Sequence, residues 1–440
     1  MSDVLMLRRH AESLANAARR IQGRSTAGDL TAAGRAEAQA WAERLAPGSV
    51  DVLWSSDAVR ARSTARIVAD RLGVPSRVHP VLAEAGAGVL EGVPHEEARI
   101  SLSGAHRVWL ARGDLDAIPG AEPGEQVQAR AVAFLSLVGD LGGRHLAVTH
   151  AAFLRCLVNT AARRDRTLPV AVGHGDTHEL VEPWARLGPV PLGQPWRPAV
   201  HAVDTGPGGR YVTKRIRTDD LDRYLRIQEA VGAPVLAAAP DRDDTVLVRR
   251  HLPGSPVPHR VAPATEWELL AHYRAVSGRI DAGLTSELRI GLPSLAERVA
   301  QVLAGPDSEA AAGLRVLTAD SRVAGLLAGH VAVADFDMHR DNTLSDDGRL
   351  HRIDFDGLCL GPETWPEACS LVGASALYPA AGDGRRPHDG IDGELRILVL
   401  VRLLLGLSYF LTGDRAAAPV GHYTQLYRDA VANWTTEVTA

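Results

Sequence analysis

The sequence predicts two successive folds: an α/β domain whose sheet is covered on both faces, in three layers, and then an α+β region with a small strand-rich part and a larger helical part. Three observations predict this. Through residues 1–185, short apolar runs alternate with amphipathic stretches of helical length, the pattern of a sheet with helices on either side. A Pro/Gly-rich stretch, LGPVPLGQPWRP at 187–198, then reads as a linker. Beyond it, hairpin-like signals give way from Pro263 onward to mostly helical periodicity, broken by the polar segment 335–361.

The elements follow in order. DVLMLRRH (3–10) reads as a strand ending in a loop, AAGRAEAQAWAERL (32–45) as a helix and DVLWSS (51–56) as a strand. AVRARSTARIVADRLG (58–73) is a helix, HLAVTHAA (145–152) a strand and AFLRCLVNTAA (152–162) a helix. After the linker come GPGG, the strand RYVTKRI (210–216), a helix over about 219–231, and TVLVRRHLPG (245–254). The boundaries expected are 1–185, a linker at 186–198, a strand-rich lobe at 199–254 and a helical lobe at 255–440.

Composition narrows the function classes. A chain of 440 residues suits two or three domains. A net charge of −5 gives no electrostatic footprint for nucleic acid. The longest apolar stretch, 397–411, contains Arg402, Gly406 and Ser408 and is too short to span a bilayer, so it predicts a buried helix and no membrane partner. The start MSDVLMLRRH lacks the pattern of a signal peptide. Cys156, Cys359 and Cys369 show no metal-ligand spacing, which points to a reducing cytoplasm. Of the 48 basic residues only Lys214 is lysine. Where arginine has taken every other basic position, a retained lysine suggests a task that needs a compact ammonium.

The first constellation lies within 1–185. Arg9 and His10 in RHAES end the first strand, where side chains of an open α/β sheet reach the ligand crevice. Asn16, Gln22–Gly23, LTAAGRAEA, SSDAVRARSTA with Arg60, LAEAGAGVLEG with Glu84, PGEQ and VTHAAFLR with His150 follow in order. This set resembles the histidine phosphatase (phosphoglycerate-mutase-like) superfamily over essentially all of 1–185, with Ala11 and Ala151 standing where the family has glycine. The resemblance implies that His10 attacks phosphorus and carries a phosphohistidine, which divides hydrolysis into two easier steps. It implies that Arg9, Arg60, His150 and Asn16 bind the phosphoryl group, and that Glu84 protonates the leaving alkoxide and then activates water. No metal is required, the substrate is a small phosphomonoester, and the short domain favours a phosphatase over a mutase.

The second constellation lies in the C-terminal half. In ADFDMHRDNTLSDDGRLHRIDFDGLCLGP, Asn342 stands five residues past Asp337, and Asp354 follows in IDFD. This resembles the aminoglycoside phosphotransferase family of protein-kinase-like enzymes over about 200–440, which implies a bilobal kinase-like domain. Asp337 would then accept the proton of a hydroxylated acceptor, while Asn342 and Asp354 hold Mg²⁺ on ATP. Lys214, mid-strand, matches the nucleotide-binding lysine, with Asp220, Asp222 and Glu229 as candidate acidic partners; VLVRRHLPG matches the hinge. Asp335 and Phe336 replace the histidine and glycine that precede the base in the family. GHGDTHEL (173–180) mimics the same loop, but five residues past Asp176 stands Val181, so it predicts the closing strand of the first domain instead.

Together the halves imply a bifunctional small-molecule phosphatase and kinase, the kinase acting on a sugar, aminocyclitol, nucleoside or antibiotic-like metabolite of secondary metabolism. The alternative is a metal-independent phosphatase regulated by a nucleotide- or ligand-binding pseudokinase.

Overall fold

The computed structural model describes residues 3–101, 104, 116–174, 176–192, 200–378, 385–391, 393–411 and 418–439. The chain divides into two compact units, one of residues 1–219 with 235–251 and one of 220–234 with 252–440.

The first unit opens as the alternation of its sequence requires: β1 (Val4–Arg9), the short α1 (Leu14–Ala17), α2 (Ala32–Arg44), β2 (Val52–Ser55), α3 (Val59–Leu72), β3 (Ser76–Val78), α4 (His95–Ser101), α5 (Gly124–Leu141), β4 (Arg144–Thr149), α6 (Ala151–Ala161) and β5 (Thr177–Val181). These strands form a sheet in the order β3-β2-β4-β1-β5. All neighbours are parallel except β5, which runs antiparallel to β1 and closes the edge. GHGDTHEL therefore supplies the closing strand, as expected. Leu5, Leu7, Phe134, Ala147 and Leu154 belong to one core, while Leu53, Leu146, Val148 and the apolar side of α3 form another on the opposite face of the sheet.

The chain continues through α7 (Pro183–Arg186), β6 (Val190–Pro191), β7 (Val200–Asp204) and β8 (Arg210–Ile216). Within the linker expected at 186–198, Val190–Pro191 pair with β7, and 193–198 lie outside the described residues. After α8 (Leu221–Ala230), which belongs to the second unit, β9 (Ala237–Asp241) and β10 (Asp244–Arg250) return to the first. They complete an antiparallel sheet in the order β6-β7-β8-β10-β9. This sheet packs on α5, and Val203, Tyr211, Ala239, Val246 and Val248 join the same core as Phe134. Helix α5 is consequently buried at every position from Val127 to Val138.

The second unit contains β11 (Ser255–Pro256), the 21-residue α9 (Pro263–Gly283), α10 (Ser286–Arg289), α11 (Leu295–Ala304), α12 (Glu309–Thr318), α13 (Ser321–Leu327), β12 (Ala332–Asp335), β13 (Thr343–Asp346), β14 (Arg349–Arg352), β15 (Leu358–Gly361), α14 (Trp365–Leu371), α15 (Gly393–Leu411) and α16 (Ala418–Thr439). Its core gathers around α9, α14 and α15, and Leu398–Ser408 of α15 are buried throughout. Among the described residues no helix is long and apolar enough to cross a membrane.

Candidate active site

The strand register brings the first constellation together. Arg9 of β1 lies opposite Thr149 of the parallel β4, so the residues that follow, His10 and His150, leave the sheet side by side. Their ring centroids are 5.1 Å apart. On the other side of β4, Ser55 of β2 pairs with Val148, and the next residue, Ser56, places its hydroxyl 2.6 Å from His150 Nε2. Arg60 follows in the first turn of α3. One end of three parallel strands thus collects both histidines, Ser56 and an arginine, in the crevice where α/β sheets place their ligands.

Hydrogen bonds select the reacting nitrogen. His10 Nδ1 lies 2.8 Å from the carbonyl of Ala11. A carbonyl only accepts, so Nδ1 carries the proton and Nε2 keeps its lone pair. Burial, with Arg9 and Arg60 adding positive charge nearby, holds the His10 imidazole well below its ordinary value and keeps it neutral. His150 is likewise held well below, by burial and then by His10 and Arg60.

The surrounding donors are cationic or neutral, and several lack partners. Arg60 donates from Nη1 to Ser25 O (2.6 Å) and from Nη2 to Gly23 O (3.3 Å), while Arg9 Nη1 donates to Val172 O (3.3 Å). Arg9 Nε, Arg60 Nε and His150 Nδ1 are buried with no hydrogen-bond partner. Buried polar groups are ordinarily paired, so a cluster of orphaned groups on cationic and imidazole side chains points to an anion.

Glu84 stands at the N-terminus of α6. Its carboxylate accepts from the backbone N–H groups of Phe153 (2.9 Å), Ala152 (3.1 Å) and Ala85 (2.9 Å). The segment that carries it is braced by Arg130 of α5. Arg130 donates to Val81 O and Ala83 O, each at 2.8 Å, reaches Glu84 O at 3.5 Å, and pairs with the buried Glu122 at 2.8 Å. Gly34, in the LTAAG segment, lets α2 approach Glu12, because a Cβ there would strike the Glu12 carbonyl.

Asn16 is placed differently from the histidines. Its Oδ1 accepts from Ser13 N (3.2 Å) and Ser13 Oγ (2.9 Å) in a capping box on α1, and Ser13 Oγ also accepts from Gln22 Nε2 (3.0 Å).

Two residues beside the site were not singled out by their sequence pattern. His174 Nδ1 donates to the His10 carbonyl (3.0 Å), with ring centroids 6.2 Å apart. It arrives through the β1–β5 pairing, which no local spacing reveals. Arg155, in α6, was visible only as the last letter of VTHAAFLR.

In the second unit, Asp337, Asn342 and Asp354 sit around one loop. Asn342 Nδ2 donates to Asp337 O (3.2 Å), and Ile353 N donates to Asn342 O (2.9 Å), which sets Asp354 one residue beyond that pairing. Asp335, where the resembling family has histidine, is fully buried and paired with Arg352. Burial pushes its carboxyl up to about 6 against the pull of Arg352. Arg352 also donates to Asp337 O (3.0 Å) and Asn342 O (2.8 Å), so it ties both ends of the loop. Gly357 has no room for a side chain, since a Cβ would stand 2.7 Å from Asp337 N. Among the described residues no three His, Cys, Asp or Glu side chains form a metal cluster. Lys214 is half-buried in β8 of the first unit, opposite Leu247 and Val200, and Asp220 caps α8 in the second unit.

Comparison with known proteins agrees with this geometry for the first unit. The profile of the histidine phosphatase superfamily (branch 1) matches residues 5–182. The probable phosphoglycerate mutase GpmB of Enterobacter sp. (strain 638) is 35% identical over 190 residues, covering 41% of this chain and 86% of that protein. GpmB of Yersinia pestis (strain Pestoides F) is 34% identical over 193 residues, with the same shares. Among solved structures, Bacillus stearothermophilus YhfR is 29% identical over 40% of this chain and 89% of that one, with a TM-score of 0.37. The chain belongs to the histidine phosphatase superfamily. Its N-terminal part is an enzyme of phosphatase or phosphomutase type, using phosphohistidine chemistry on a small phosphate ester.

Proposed function

We propose that the first unit is a metal-independent phosphomonoesterase. His10 Nε2 attacks phosphorus as the ester P–O bond breaks, and Glu84 delivers a proton to the departing oxygen. Water then attacks the phosphohistidine, Glu84 takes its proton, and inorganic phosphate leaves with His10 restored. Arg9, Arg60 and His150 stabilise the charge on the equatorial oxygens; Asn16, at the rim, orients the ester. The observation that carries this reading is the neutral His10, with its Nε2 lone pair unused, beside the orphaned Arg9 Nε, Arg60 Nε and His150 Nδ1. Incubation with 4-nitrophenyl phosphate in the presence of a chelator should give turnover and an acid-labile phosphohistidine, both lost in His10→Ala. Chasing the phosphoenzyme separates hydrolase from mutase: release of inorganic phosphate to water supports the proposal, and transfer to an added hydroxy compound in preference to water overturns it.

A second activity is proposed for the C-terminal constellation: transfer of a phosphoryl group from ATP to a hydroxylated small molecule, with Asp337 as base and Lys214 on the nucleotide phosphates. Asn342 and Asp354 offer the hard oxygen donors that Mg²⁺ takes together with phosphate oxygens. Bound Mg²⁺ would neutralise nucleotide charge, while Asp337 orients the acceptor hydroxyl and takes its proton. The supporting observation is that Arg352 and Asp335 tie the loop where the family's histidine is missing. A phosphorylated acceptor detected by mass spectrometry in a His10→Ala protein, and lost in Asp337→Asn, is the expected result. Intact Mg-ATP binding without any phosphorylated product would favour a regulatory pseudokinase.

A further inference from the structure

The buried arginines of this protein are partnered by carboxylates with one exception beside the active site. Arg8 pairs with Glu37, Arg130 with Glu122, Arg340 with Glu266 and Arg352 with Asp335. Arg155 is 9% exposed, and among the described residues its guanidinium has no hydrogen bond or ion pair. Its Nε is buried and unpartnered. Arginine is almost never buried in this way without compensation, because removing a guanidinium from water unpaired is costly. The group whose field favours its charge is Glu84, against burial that opposes it. Arg155 lies two residues beyond Phe153, whose N–H holds that carboxylate, so it stands on the side of the site where Glu84 meets the leaving group.

Charge decides what would fit there. Arg9, Arg60 and Arg155 all feel Glu84 as their favourable neighbour, while His10 and His150 are neutral. When Glu84 carries the proton it is to donate, the pocket holds three positive charges, and a phosphomonoester dianion offsets two. One positive charge remains, and it belongs to the arginine with no partner. A single negative charge on the leaving group would match it, and a carboxylate presents that charge in the planar geometry a guanidinium binds.

We propose that Arg155 is a specificity-determining residue that binds a carboxylate on the leaving-group side of the phosphomonoester, so that the preferred substrates are phosphate esters of hydroxy acids. This rests on the phosphomonoesterase reading of the same site, and the test separates the two. In the full chain, kcat/KM is measured for phosphoglycolate and for ethyl phosphate, which lacks the carboxylate. Replacing Arg155→Met should lower the ratio of the two by about tenfold or more, as loss of a charge-assisted hydrogen bond implies. An equal fall for both esters would mean that Arg155 acts only through Glu84 and would overturn the proposal, as would an unchanged ratio. A measurement on the unaltered protein guards against a variant that fails to fold. Phosphonoacetate should bind about tenfold or more tightly than ethylphosphonate by calorimetry. Equal affinities, or tighter binding of a bisphosphonate than of phosphonoacetate, would overturn the carboxylate assignment. Absence of 4-nitrophenyl phosphate turnover would instead strike the hydrolytic reading, which the two phosphonates do not probe.

Discussion

Ala11 replaces a family glycine next to the nucleophile, yet its backbone is fully used: its N–H donates to Thr64 Oγ1 (3.1 Å) and its carbonyl fixes the His10 tautomer. An added methyl at a 1% exposed position therefore leaves the nucleophile's orientation in place. Glu84 invites a sharper experiment. Glu84→Gln removes the transferable proton while keeping oxygen and size, so alkyl phosphates should lose about 10²–10⁴ in kcat, the range for general acid catalysis. Aryl phosphates with good leaving groups should lose far less, and a plot of rate against leaving-group acidity should steepen; parallel losses would make Glu84 structural. At this scale the sequence revealed His10, Arg60, Glu84 and His150 because motif spacing and strand ends coincide. It did not reveal His174, whose position beside His10 depends on pairing between strands about 170 residues apart. Nor did it single out Arg155, since an arginine on an amphipathic helix reads as surface until its burial is known.

Among the elements, α5 links catalysis to stability through Arg130. Arg130→Met strips the carbonyls of Val81, Ala83 and Glu84 of their donor and leaves the Glu122 carboxylate buried beside one remaining arginine, the half-exposed Arg24. Breaking a buried pair from one side typically costs about 3–5 kcal/mol, so the urea midpoint should fall, and kcat should fall with it as Glu84 loses its support. The double variant Arg130→Met/Glu122→Gln should recover much of the stability but not the rate. Recovery of both would show that the arginine serves only to neutralise Glu122. The strands flanking the site were legible because β-branched and apolar residues sit in short runs bounded by turn signals. Strand β9 was not, since AAAPD lacks β-branched or aromatic residues and becomes a strand through pairing with β10.

For the molecule as a whole, buried imidazoles set the acid limit. His10, His150, His79 and His145 in the first unit are all held below 6.5 by burial, and His272 and His388 in the second are lowered to about 4. As pH falls below about 6.5 the unfolded chain takes up protons that the native state refuses, so stability must fall toward the native values. Asp335 works in the opposite sense: its raised value of about 6 means that its contribution is full below its ordinary 3.8 and is lost as pH rises through 6. One carboxyl against six imidazoles does not reverse the trend. Urea midpoints should therefore drop between pH 7 and pH 5, and a flat profile would contradict the neutral state assigned to these rings. The α/β alternation was plain at this scale, but the true border of the first compact unit was hidden, because residues 200–219 and 235–251 join it through side chains that meet only after folding.

That sheet's hold on α5 bears on how such a chain is inherited. A break in the gene after codon 185 would free every motif of the phosphatase, yet the polypeptide made would carry an 18-residue helix stripped of the cover that β8, β9 and β10 lay over it. Bare apolar flanks of that kind drive aggregation. Fission at the Pro/Gly-rich stretch should thus yield insoluble product, whereas a fragment retaining residues 1–251 keeps the helix covered. Selection on solubility alone would hold the two halves in one reading frame, even in a lineage that had no further use for the second.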